Sequence, residues 1–215
     1  MNKYKAIIFD MDGTLFDTEQ ISRLAWLDYK ELTGLPITEE FIIDLIGRSA
    51  QSAQVIFKKY MPATFNQEHS RAHHKDFMNK YKQEHGPLPK TDLNQLFTNL
   101  KEKGYRLALC SSSAQHAIDL NLSFDHLHHY FDVIVNGSMV TKGKPEPDIY
   151  LLTANLLNLD PKECLVVEDS KNGILSGNAA GMDVVMVVDM VQPDEEIKKC
   201  CLKIMDHLDE ILEII

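Results

Sequence analysis

Short, unbroken apolar runs recur along the chain: Ala6-Ile7-Ile8-Phe9, Leu107-Ala108-Leu109-Cys110, Val133-Ile134-Val135, Leu165-Val166-Val167 and Val184-Val185-Met186-Val187. Runs of this length without polar alternation predict strands buried on both faces of a parallel sheet. Between them the apolar positions fall at helical spacing. Leu93, Leu96, Phe97 and Leu100 share one face of a helix predicted over Thr91–Lys103, and Gly104 and Gly181 each stop a helix just before a strand. From Tyr105 onward the rhythm is strand, helix, strand, helix, the pattern of a doubly wound α/β fold with a Rossmann-like core. The tail from Pro193 to Ile215 reads as a terminal helical region.

One stretch breaks the rhythm. After the first run the next strand begins only near Tyr105, and the residues between are helical and amphipathic. Ile21, Leu24, Ala25, Leu27 and Leu32 form a stripe ending at Gly34 and Pro36. Thr38 looks like an N-cap, with Glu39 and Glu40 in the first turn and Gly47 at the end. Further helical sequence passes through Val55-Ile56-Phe57 and Phe77-Met78 to a loop with Gly86, Pro87 and Pro89. An insertion of about 70 residues is far longer than an ordinary loop. The expected organisation is a core of residues 1–16 and 87–215 with an inserted α-helical cap, residues 17–86, acting as a lid. Hinges are expected near Asp17-Thr18 and Gly86-Pro87.

Composition narrows the function. The 215 residues carry a formal net charge of -10, which argues against general nucleic-acid binding and against anionic membrane surfaces. No apolar run approaches the ~20 residues of a membrane span, and no secretory leader pattern opens the chain. The four cysteines, Cys110, Cys164, Cys200 and Cys201, show neither a CxxC pair nor zinc spacing, which fits a reduced, cytoplasmic protein. His69 and His73 have the i, i+4 spacing of a metal pair, but without a supporting carboxylate pattern they read as solvated helix surface.

Chemistry gathers where the strands end. Ligands of such sheets bind beyond the carboxyl ends of the strands. Asp10 and Asp12 follow the first strand, Ser111-Ser112-Ser113 the second, a loop to Lys144-Pro145 the third, and Glu168-Asp169-Ser170 the fourth. Acids converging on one rim repel one another unless a hard cation sits among them, and Mg²⁺ suits a few carboxylates with a phosphate oxygen. A lysine and a hydroxyl there can hold phosphate oxygens. An aspartate can then attack phosphorus while a second acid moves the proton. Ser112 and Ser113 divide evenly between helix capping and a role at the site.

These segments resemble the motifs of the haloacid dehalogenase-like hydrolases, in order and across the whole core. Asp10-Met11-Asp12-Gly13-Thr14-Leu15-Phe16-Asp17-Thr18-Glu19 resembles the first, in particular that of the beta-phosphoglucomutase-like sugar-phosphate phosphatases. Ser111 after Leu-Ala-Leu-Cys resembles the second, and Gly143-Lys144-Pro145-Glu146-Pro147-Asp148 the third. Val166-Val167-Glu168-Asp169-Ser170 with Asn172-Gly173 resembles the fourth. The resemblance implies Asp10 as nucleophile and Asp12 as general acid/base. It implies Ser111 and Lys144 at the phosphoryl group, and Ser112 is expected beside them as a further phosphate-binding residue. Mg²⁺ would be bound by the Asp10 side chain, the Asp12 backbone carbonyl and the Asp169 side chain, with Glu168 in support.

Two departures bear on the reaction. Mutases of that subgroup carry a histidine where this chain has Ser22, and a cap arginine just after a Gly-x-Ser, whereas here the order is Gly47-Arg48-Ser49-Ala50. Both favour hydrolysis over transfer within a sugar phosphate. Asp12 speaks against dehalogenation. A phosphorylated receiver module would be shorter and would place its aspartate after the third strand, where Asn136-Gly137 stands; a non-catalytic relative would have lost an acid or the lysine. The expectation is a Mg²⁺-dependent phosphatase, monomeric, acting on a small phosphorylated metabolite, with a sugar phosphate the favoured class.

Overall fold

A computed structural model describes residues 3–45, 50–189 and 192–215. The chain divides into two compact units, residues 1–17 with 87–215 and residues 18–86. The first unit holds a six-stranded, all-parallel sheet with helices on both faces. In chain order it comprises β1 (Ala6–Phe9), then, after the second unit, α5 (Leu93–Glu102), β2 (Arg106–Ser111), α6 (Gln115–Ser123), β3 (Val133–Asn136), α7 (Asp148–Leu156), β4 (Cys164–Glu168), α8 (Lys171–Ala179), β5 (Asp183–Val187), α9 (Glu195–Cys200), β6 (Lys203–Met205) and α10 (Ile211–Ile214). The second unit contributes α1 (Thr18–Thr33), α2 (Glu39–Leu45), α3 (Ala50–Tyr60) and α4 (Gln67–His85).

The strand order is β3-β2-β1-β4-β5-β6. It reverses beside β1, so the crevice between β1 and β4 is the topological switch point at which such sheets bind ligands. The strands alternate between two cores, as a period of two requires. Ile7, Phe9, Leu107, Leu109, Leu165 and Val167 pack with α5 and α6 on one face. Ala6, Ile8, Ala108, Cys110, Cys164 and Val166 pack with α7 and α8 on the other. Both faces being dry is what the unbroken apolar runs predicted. Asp92 caps α5, its side chain accepting from the Gln95 amide at 3.0 Å.

The tail departs from expectation. Lys203–Met205 forms a sixth strand on β5, with the Leu202 amide donating to the Val184 carbonyl at 2.7 Å. Three residues flanked by short helices are too few to show a period.

Asp17 belongs with the first unit, because its amide donates to the Leu88 carbonyl at 2.7 Å. The Lys90 amide donates to the Leu15 carbonyl at 2.9 Å, and Phe16 bridges Pro89. The outgoing and returning segments are thus paired as a short antiparallel ribbon on the core.

The second unit has its own core, centred on Trp26, whose ring meets Phe41 edge-on at 5.1 Å. The buried face of α1 is Ile21, Ala25, Trp26 and Tyr29, one turn apart, while Leu32 from the expected stripe is 63 % exposed. Thr38 caps α2, its hydroxyl accepting from the Phe41 amide. Gly47, Arg48 and Ser49 lie outside the described residues.

Candidate active site

The register places the ends of β1, β2 and β4 level: Phe9 stands beside Leu109 on one side and Val167 on the other. Asp10, Ser111, Glu168 and Asp169 therefore emerge together, and the Asp10 amide stays in the ladder by donating to the Val167 carbonyl at 3.0 Å. Gly13 then turns the chain at φ 88°, and a side chain there would collide with the Asp169 carboxylate. Thr14, wholly buried, donates to Asp169 Oδ1 at 2.8 Å and so fixes that acid against the first loop.

Lys144 is the hub. Its ammonium donates to Asp10 Oδ1 at 2.5 Å and Glu168 Oε1 at 2.6 Å, with the Cys110 carbonyl at 3.4 Å. Its side chain is only 6 % exposed. Burial works against that charge, but Asp10 and Glu168 outweigh it and hold the lysine pKa well above its ordinary value. Burial pushes Asp10 up to about 7 against the pull of Lys144, with Glu168 adding to the rise. Burial, then Glu168 and Asp10, and also Asp189, raise the Asp169 pKa well above its ordinary value. Asp189 itself is paired with Lys90.

Asp10, Glu168 and Asp169 offer carboxylate oxygens within 4.8 Å of one another, the one such cluster found among the described residues that could hold a metal. An all-oxygen set of crowded acids suits a hard divalent cation. The three are not equivalent. Both Glu168 oxygens are engaged: Oε1 by Lys144 and by the Tyr150 hydroxyl at 3.1 Å, Oε2 by the Asp169 and Ser170 amides at 2.9 and 2.8 Å and the Ser170 hydroxyl at 3.0 Å. A side chain on Gly173 would overlap this carboxylate, so the glycine opening α8 makes room for it. Asp10 and Asp169 are the freer donors.

The serines separate. Ser113 donates to Asp12 Oδ2 at 2.6 Å, while Ser112 is exposed. Ser111 is buried, its hydroxyl accepting from the Ser113 amide at 3.0 Å, which shapes the turn that presents Ser113. Sequence reasoning weighed Ser113 without choosing it, and missed Thr14 and Tyr150. Tyr150 could have been suspected from its place in the first turn of the helix that follows Lys144; burial raises its hydroxyl pKa well above the ordinary value.

The matches to known proteins agree with this geometry. The family described as "Haloacid dehalogenase-like hydrolase" matches residues 7–187. The chain belongs to the haloacid dehalogenase-like hydrolases. This hydrolase is 33 % identical over 184 residues to a phosphorylated carbohydrates phosphatase of Thermotoga maritima, covering 83 % of this chain and 82 % of that one. It is 32 % identical over 190 residues to the fructose-1-phosphate phosphatase YqaB of Escherichia coli, covering 86 % and 97 %. The structure of a beta-phosphoglucomutase from Clostridium difficile superposes with a TM-score of 0.68 at 26 % identity, over 97 % of this chain and 93 % of that one. No helix among the described residues of this hydrolase is long and apolar enough to cross a membrane.

Within the helical unit, a cavity of about 350 Å³ is lined by Trp26 and Phe57 on its apolar side and by Ser22, Arg71, His74 and Lys75 among its polar residues. At Ser22, where a mutase would be expected to carry histidine, an imidazole arrives from another helix: His74 Nε2 lies 2.9 Å from the Ser22 hydroxyl. Burial, then His73, lowers the His74 pKa, so the neutral ring is favoured. His69 and His73 are not simply solvated. They bond the Tyr29 hydroxyl and the Asp28 carboxylate at 2.8 and 2.9 Å, partners supplied by α1 and therefore invisible in the spacing along α4.

Proposed function

We propose that this hydrolase is a Mg²⁺-dependent phosphatase of small phosphorylated metabolites, with sugar phosphates as the substrate class, working through an aspartyl-phosphate. The observation that carries the reading is a buried lysine shared by two acids at the switch point, beside a second aspartate held by a serine. Asp10 attacks phosphorus, and the bond from phosphorus to the leaving oxygen breaks as Asp12 gives that oxygen a proton. Asp12, now ionised and steadied by Ser113, takes a proton from water, whose oxygen displaces Asp10 and releases inorganic phosphate. Lys144 and Ser111 hold the phosphoryl oxygens throughout. Mg²⁺ held by the Asp10 and Asp169 carboxylates and the Asp12 backbone carbonyl would offset the crowded negative charge and polarise the phosphoryl group.

The names of the two phosphatase relatives support the substrate class. The inserted helical unit is read as the cap and is expected to govern which substrate is used. Phosphate release across a panel of sugar phosphates and nucleotides tests the reading. Activity is expected with a sugar phosphate, and its loss in excess chelator with recovery on adding Mg²⁺. Full activity in chelator would remove the metal from the reaction.

A second reading, transfer within a sugar phosphate, gains from the His74 imidazole beside Ser22. Beta-glucose 1-phosphate discriminates: hydrolysis releases phosphate, whereas accumulation of glucose 6-phosphate with little free phosphate would establish the mutase.

The serines give a finer test. Ser113→Ala should lower kcat by roughly tenfold, the worth of one hydrogen bond to a charged group. Ser112→Ala should leave steady-state rates unchanged, and equal losses in the two variants would refute the distinction.

A further inference from the structure

The Tyr150 hydroxyl and the Lys144 ammonium end on the same oxygen, Glu168 Oε1. Tyr150 is wholly buried on α7, among apolar neighbours that include Ile149, Ala154 and Val166. The centre of its ring lies 5.1 Å from Lys144 Nζ. No step of the proposed reaction uses this residue. For packing alone a phenylalanine would fill the same space without a polar group to satisfy, and a buried hydroxyl is retained only with a partner. Here the partner is the carboxylate that competes with Asp10 for the lysine.

We propose that Tyr150 is a positioning residue, setting where the Lys144 ammonium rests between Glu168 and Asp10 and hence how firmly the enzyme grips a phosphoryl group. The inference rests on the reading that Lys144 holds that group. One ammonium faces two carboxylates at 2.5 and 2.6 Å, so a small change in either acceptor moves it. The tyrosine donor occupies part of the acceptor capacity of Oε1 and lowers its pull on the lysine. Three donors on Oε2 keep the carboxylate from rotating to compensate. The ring face offers the ammonium a further weak attraction on its apolar side. Without the hydroxyl, Glu168 draws Lys144 toward itself, away from Asp10 and from the position a phosphoryl oxygen needs.

Tyr150→Phe keeps the ring and removes only the donor. The full-length enzyme would be assayed with p-nitrophenyl phosphate in MgCl₂, orthovanadate binding measured by calorimetry, and thermal melting followed. Loss of one hydrogen bond to a charged group predicts a roughly tenfold fall in kcat/KM and a matching weakening of vanadate binding, with the melting temperature little changed. Tyr150→Leu, which also removes the ring, should lose more; if it does not fold, the phenylalanine variant decides. Unchanged kcat/KM and vanadate affinity in Tyr150→Phe would overturn the proposal, as would a deficit that disappears well below the melting transition. Failure of the function itself looks different: an unsubstituted enzyme inert on every phosphate ester, or an Asp10→Asn variant that retains turnover, would overturn that reading instead.

Discussion

Asp10→Asn is expected to abolish turnover, lowering kcat by at least ~1,000-fold, a loss of about 4 kcal/mol of transition-state stabilisation. The amide keeps the shape of the carboxylate but cannot attack phosphorus. The fold should survive. Asp10 is buried beside Glu168 and Asp169, and burial is the largest cause of its raised pKa, so neutralising it removes an unfavourable charge. Lys144 keeps its bond to Glu168 in the variant. Thermal melting should therefore show no loss of stability while phosphate release vanishes. Turnover near the unsubstituted level would place the nucleophile elsewhere.

Lys144→Met should fail on both counts. It removes the counter-charge shared by Asp10 and Glu168 and leaves two buried carboxylates facing each other and Asp169. Breaking a buried pair by deleting one partner typically costs about 3–5 kcal/mol. At ~2–4 °C per kcal/mol for a chain of this size, melting should fall by about 6–20 °C. Activity should be lost as well, because the ammonium proposed to hold the phosphoryl oxygens is gone. Added Mg²⁺ should recover part of the stability, since a divalent ion can offset the same carboxylates. A variant that melts like the parent would mean that the acids are protonated or solvated rather than held by the lysine.

The sheet was legible because its strands are dry on both faces. No polar residue interrupts Ile7-Ile8-Phe9 or Leu165-Val166-Val167, and the acids begin where those runs stop. The positions of Asp10, Glu168 and Asp169 follow from that. What escaped notice depends on contacts between distant segments. Ser112 and Ser113 are equivalent as letters; the turn at the end of β2 exposes one and aims the other at Asp12. Tyr150 reads as an ordinary helix residue until β4 brings Glu168 beside it. His73 meets a carboxylate 45 residues away on α1, which no spacing along α4 could announce. β6 was hidden by brevity, since three residues carry no period.

The paired ribbon that joins Leu15–Asp17 to Leu88–Lys90 has a consequence for how the chain can fold. Topologically the whole helical unit is the loop of a hairpin whose two stems are hydrogen-bonded on the core. Closing a loop costs an entropy that grows only as the logarithm of its length. Replacing a tight turn of about four residues by residues 18–86 is about four doublings, or ~2.5 kcal/mol if the insert were slack. It is not slack, because it carries its own Trp26-centred core and can hold its ends together by its own packing. The nucleus that brings β1 beside β2 therefore need not wait for a long floppy excursion to close, and a structured insert of this kind could vary widely in size while leaving the catalytic sheet's stability nearly untouched.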